Sequence, residues 1–223
     1  MNNTTTANTK ETVKAEHVKT EKRINIRYMT MTAMLSAIAF ILMFMDFSVP
    51  FMPGFIKLDI SELPALIGTF AMGPASGVII CLVKNILHLL ITTTGGVGEL
   101  SNFVLGAAFV LPAGLFYKYK KNRKSALIGS LAGALIMALF SLPSNYFVVY
   151  PFYTNFMPED AIIGAYNAII SVVGGHVDNL FQCLLLFNVP FTFVKGLLSV
   201  LITFLIYKHI SPIIKGNYTN RRS

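Results

Sequence analysis

Charge is scarce in this chain. Only 13% of its 223 residues are charged, against roughly 25% in average soluble proteins. Hydrophobic residues make up 54%, and the mean hydropathy is +0.64. That balance excludes a soluble domain with a single wet surface and points to an integral membrane protein. Cysteine is nearly missing too. Cys81 and Cys183 both lie in apolar runs, so a disulfide framework or a CxxC metal site is excluded, and both thiols read as small buried hydrophobes. No GxxxxGK[ST] loop occurs, so the chain does not hydrolyse ATP by a Walker-type site. HExxH and GxSxG are absent, which weakens an enzyme reading. The first 27 residues are polar and lack an apolar h-region. They are expected to form a disordered cytoplasmic tail rather than a signal peptide.

The basic residues present are unevenly placed. Residues 1–27 hold six, residues 118–124 hold five and residues 208–222 hold four. Such clusters flanking an apolar body label a cytoplasmic side and argue against nucleic acid as the partner. Six apolar segments lie between them, at 28–45, 60–72, 75–93, 101–117, 126–150 and 180–207. An even count puts all three basic clusters on one side, with both termini cytoplasmic; five or seven spans would strand one cluster outside. The second segment is the weakest, since a span needs roughly 20 residues. Residues 46–59, with Pro50, Pro53 and Gly54, are expected as a structured loop. Gly95-Gly96-Val97-Gly98 is expected as a tight turn before Glu99. Residues 161–174 read as an interfacial or re-entrant helix. The expected organisation is thus a 1–27 tail, a 28–207 all-α membrane domain of six transmembrane helices, and a 208–223 basic tail.

Eight further charges fall within residues 28–207, outside the basic loop and the Glu159–Asp160 pair. Asp46, Lys57, Asp59, Glu62, Glu99 and Asp178 are expected at outer ends, as an extracellular vestibule or as ordinary wet loops and caps. Lys195 sits well inside the last apolar run, where a lysine costs ~2.5–3.5 kcal/mol on insertion scales. It must snorkel or find a partner. Asn188, Thr192 and Lys195 are spaced i, i+4, i+7 and share one helix face. That stripe is either helix–helix glue or a ligand site, and the lysine favours the second. Pro190 can kink the helix there. Lys84, Asn85 and His88 form either an interior hydrogen-bond cluster or ligand contacts. Ala33 and Ala37 make a small-xxx-small pattern that lets another helix approach closely.

Residues Phe47–Pro74 (FSVPFMPGFIKLDISELPALIGTFAMGP) resemble the first loop and second helix of S components of energy-coupling factor (ECF) vitamin transporters. PFMPGFIKLDISELPALI is most similar to the riboflavin-specific branch. Lys84-Asn-Ile-Leu-His88, GGVGELSN at 95–102, Asn145-Tyr-Phe with Tyr150-Pro, and Pro190-Phe-Thr-Phe-Val-Lys195-Gly196 follow in the same order. The resemblance covers roughly residues 28–207.

It implies a six-helix, substrate-binding membrane subunit with an S-component-like bundle. Its partners would be a transmembrane coupling subunit and two cytoplasmic ATPases, which fits the missing Walker loop. Ala33 and Ala37 would dock on the coupling subunit. Riboflavin would be cargo, with no resident cofactor. Asn145 matches the branch's asparagine on the fifth helix, and Lys195 matches the lysine on the sixth. Thr192 stands where the branch usually has asparagine. It keeps a donor and an acceptor but cannot make an amide's paired bonds, so riboflavin, FMN and another vitamin stay open as ligands. Phe55 and Leu58 would wall a flat tricyclic ring, with Lys57, Asp59 and Asn85 on its ribityl side or latching the loop. The rival readings are a membrane enzyme, with His88 or His176 and Asp178 as acid and base, and an autonomous channel.

Overall fold

The computed structural model describes residues 26–50, 52–53, 56–92 and 94–215. The expected tails fall largely outside these, as does Phe55. Contacts divide the chain into two units, Met1–Thr30 and Met31–Ser223. The described part of the first is the opening of a helix, where Thr30 Oγ1 donates to the Ile26 carbonyl at 2.9 Å. Everything below concerns the second.

Seven helical stretches and one small hairpin make up the described chain. Helix α1 is Ile26–Phe44. Strands β1 (Phe47–Ser48) and β2 (Lys57–Leu58) pair antiparallel, Phe47 opposite Leu58 and Ser48 opposite Lys57. The expected loop is therefore a hairpin that returns the chain to its starting point. Helix α2 is Glu62–Met72 and α3 is Pro74–His88, running on in a 3₁₀ turn, Leu89–Ile91. Gly73 between them adopts φ 108°, which an L side chain resists. Helix α4 is Val97–Tyr119 and α5 is Arg123–Tyr153. Helix α6 is Glu159–Ile170. Helix α7 is built from Leu180–Cys183, a wide turn Leu184–Asn188, and Val189–Lys215, so it continues beyond Tyr207.

Five of these helices are long and apolar enough to cross a membrane. Helix α2 has 11 residues, about 16 Å at 1.5 Å each, against a ~30 Å hydrocarbon core. Its surroundings compensate for its length. Every residue from Glu62 to Phe70 is buried, and α2 packs against α3, α4 and α7. The main core joins Leu35 and Ala39 of α1 with Leu66, Ile80, Phe109 and Met137. Helices α4 and α5 approach closely because Gly133 has no side chain; a Cβ there would collide with the Phe109 carbonyl. A second core gathers Tyr150, Ile162, Tyr166, Cys183 and Leu184, and both cysteines are buried free thiols.

Helix α4 starts earlier than the glycine pattern suggests. Val97, Gly98 and Glu99 are already helical, so the turn shrinks to Gly95 and Gly96, both at positive φ. The Thr94 hydroxyl explains the start: it accepts the Gly98 N–H at 3.1 Å, satisfying a donor that a helix N-terminus otherwise leaves unpaired.

Two prolines reshape the helices that carry the site. In α5 a π turn, Asn145–Val149, ends two residues before Pro151. In α7 the π turn Leu184–Asn188 ends two residues before Pro190. Proline lacks an N–H and crowds the carbonyl four residues earlier, and a widened turn removes that clash. The expected kink at Pro190 takes this form.

Candidate functional site

The site is built on the entry to α2. Asp59 follows β2 and turns back on itself: its Oδ1 accepts the Ser61 N–H at 2.9 Å and the Ser61 hydroxyl. Its Oδ2 accepts from Lys195 Nζ of α7 at 2.8 Å. At the first residue of α2, Glu62 Oε1 accepts from Lys84 Nζ of α3 at 3.0 Å, and Glu62 Oε2 lies 3.3 Å from Lys195 Nζ. Lys84 also donates to the Ser61 hydroxyl. Two carboxylates and two ammonium groups from four segments thus meet at one node. Lys84 has no exposed surface, and Glu62 and Asp59 are buried.

Buried charges persist only when paired and hydrogen-bonded, and this node is arranged that way. Burial works to raise the Asp59 carboxyl. The neighbouring Lys195 and Lys84 ammonium groups, with hydrogen bonds from Lys195 and Ser61, outweigh it and hold the carboxyl well below the usual range.

Beside the node lies a cavity of about 180 Å³. Its polar lining includes Lys57, Glu62, Asn102, Asn145, Thr192 and Lys195, with Ser101 beside Asn102, and Leu105, Met137, Val149 and Phe191 form apolar walls. Asn145 is the first residue of the α5 π turn, and Thr192 lies one helical turn after the α7 π turn. Behind them, the Tyr166 hydroxyl donates to Asn188 Oδ1 at 2.7 Å and pairs with the Tyr150 hydroxyl. Asn188 Nδ2 reaches the Tyr150 oxygen at 3.4 Å. The two widened helices are thereby tied together and to α6.

Of the residues expected to hold ligand, Lys57, Asn145, Thr192 and Lys195 come together around this cavity. Asp59 stands behind Lys195 as its counterion. Leu58 is buried in the hairpin. Asn85 is buried in α3, where its amide donates to the Cys81 carbonyl at 2.7 Å and its Oδ1 has no hydrogen-bond partner. Among the described residues the cavity lining does not include Leu58, Asp59 or Asn85. Lys84 resolves into an interior ion pair. Lys57 pairs with Asp46 at 3.0 Å on the hairpin rim, with half its side chain exposed.

Glu62 was placed by sequence only among the outer-end charges, and Asn102 was not singled out as a ligand residue. Glu62 reads as an ordinary acidic first-turn residue, and Asn102 as the last residue of a turn motif. The missed signal was the shortness of α2, which is buried from Glu62 to Phe70 and so turns its only carboxylate inward. The histidines of the enzyme reading separate. His88 Nδ1 is bonded to Glu99 at 2.7 Å, with Thr94 also donating to that carboxylate. His176 and Asp178 make an exposed pair at 3.4 Å. Ala33 and Ala37 lie exposed on α1, beside exposed Met34, Ile38 and Ile41.

These features define a class: a multi-pass helical membrane protein with a partly polar cavity served by a buried charge node. The family described as "ECF transporter, substrate-specific component" matches residues 27–207. A riboflavin transporter RibU from Staphylococcus aureus is 35% identical over 191 residues, covering 86% of this chain and 93% of the relative. The riboflavin transporter FmnP of Bacillus subtilis is 28% identical, covering 86% and 96%. A solved structure described as the S component of a bacterial ECF transporter aligns with a TM-score of 0.64 at 33% identity, covering 84% of this chain and 97% of that one. The chain belongs to the family of substrate-specific components of ECF transporters.

Proposed function

We propose that this chain binds riboflavin from the extracellular side and delivers it inward as the substrate-binding subunit of an ATP-driven importer. The observation that carries the reading is the convergence of Asn145, Thr192 and Lys195 on one cavity with apolar walls. An isoalloxazine ring is flat and mostly apolar with one polar edge, and such a lining suits it. The apolar walls Leu105, Met137, Val149 and Phe191 take the ring, while Lys57 and Asn102 serve the ribityl hydroxyls. Asp59 acts from behind by latching the loop to Lys195.

The riboflavin-transporting relatives support this ligand. They are transporters, so the flavin is cargo and no turnover is assigned to the chain. The coupling subunit and two cytoplasmic ATPases complete the importer, with Ala33 and Ala37 docking on the former. Both termini are cytoplasmic, because with α2 counted as a sixth membrane segment all three basic clusters fall on one side.

The test is purification of the full chain in detergent from cells grown with riboflavin. The expected preparation is yellow and releases free flavin on denaturation. A colourless preparation that leaves added riboflavin fluorescence unquenched rejects the reading.

A further inference from the structure

The charges at the cavity cancel. Asp59 and Glu62 carry two negative charges, and Lys84 and Lys195 carry two positive, so the node is neutral in sum. The other charged lining residue among those described, Lys57, is paired with Asp46 at the exposed rim. Glu62 holds a particular place. It lines the cavity, whereas Asp59 does not. Its Oε1 is fixed by Lys84, a lysine with no path to water. Its Oε2 faces Lys195 at 3.3 Å and accepts no hydrogen bond.

We propose that Glu62 is the specificity-determining residue of this pocket, selecting an uncharged flavin over an anionic one. The inference rests on the flavin reading above and adds to it the charge class of the ligand. An uncharged ligand can accept from Lys195 while Glu62, its Oε2 buried 3.3 Å from that ammonium, stays on its lysine partners. A phosphate meets the carboxylate at close range. Seated on Lys195 it repels Glu62, 3.3 Å from that ammonium, and loosens the carboxylate that Lys84 has as its counterion. Charges a few ångströms apart away from water interact strongly enough to decide such a choice.

The experiment is a fluorescence-quench titration of the full-length chain in detergent with riboflavin and with flavin mononucleotide. It compares wild type, Glu62→Gln, and the double variant Glu62→Gln/Lys84→Met. Wild type is expected to prefer riboflavin. Glu62→Gln leaves one uncompensated positive charge, so its preference should fall by about tenfold or more. The double variant restores neutrality and should return toward the wild-type ratio, an outcome that a merely structural role for Glu62 does not produce. If Glu62→Gln gives no folded protein, Asp59→Asn places the same excess charge from the loop side and should lower the ratio likewise. A ratio unmoved in the folded single variant, or equally low in the double variant, overturns the inference and leaves the flavin reading standing. Wild type that binds neither flavin overturns both.

Discussion

Lys195 Nζ lies 2.8 Å from Asp59 Oδ2, a bond between residues 136 positions apart. It ties the segment that follows the hairpin to the middle of the last helix, directly beside the cavity. A lysine that is costly in a membrane therefore has its partner inside the protein. Glu62, Lys84 and Ser61 extend that pair into a node joining α2, α3 and α7.

Lys84 should matter for stability first. It donates to both Glu62 and Ser61, and removing one partner of a buried ion pair costs about 3–5 kcal/mol. Lys84→Ala is expected to lower the thermal midpoint in detergent sharply, while Lys57→Ala at the exposed rim should shift it little. Adding Glu62→Gln to Lys84→Ala should cost less than the sum of the two single changes, because the stranded charge is gone.

Acid should weaken the node through Asp59. Its carboxyl titrates below its unfolded value near 3.9, so the stability it contributes is fully present above about pH 4 and lost as pH falls through the lower folded-state value. Thermal melts of wild type should gain no destabilisation from this group between pH 7 and pH 5, and an acid slope should begin below that. Asp59→Asn should be less stable at neutral pH and show a flatter acid slope.

The hydroxyl of Tyr166 should count for more than its distance from the cavity suggests. It is buried and donates to Asn188, which closes the α7 π turn one helical turn before Thr192. Tyr166→Phe leaves Asn188 Oδ1 without that donor, at a cost of about 1–3 kcal/mol. The expected result is a lower thermal midpoint together with weaker riboflavin binding, measured by fluorescence quenching.

Binding and docking should separate. Ala33 and Ala37 lie on the exposed face of α1, while Thr32, Leu35, Ser36 and Ala39 face inward. Ala33→Leu with Ala37→Leu should preserve riboflavin quenching by the isolated chain. Co-purification with the coupling subunit and uptake in whole cells should both fall.

Much of the helical plan was legible because long apolar runs carry their own length. The π turns were not, since a proline announces a disturbance and leaves its form to the packing around it. The hairpin hid because strands of two residues carry no alternation. At the site, Lys195 stood out as a charge in an apolar run, and Asn145 and Thr192 came with it. Asn85 read as a weaker ligand candidate, and its face of α3 turns into the protein, where its amide bonds to Cys81. Glu62 was obscured for the opposite reason: a carboxylate in a first helical turn is ordinary, and only the burial of α2 from Glu62 to Phe70 makes it a pocket residue.

The most direct test is a riboflavin fluorescence-quench titration of purified wild type beside Lys195→Ala, with folding of both checked by gel filtration in detergent. The account predicts tight quenching by wild type and affinity lower by about tenfold or more in a folded Lys195→Ala. Equal affinity in the two proteins would contradict the placement of the flavin against Lys195.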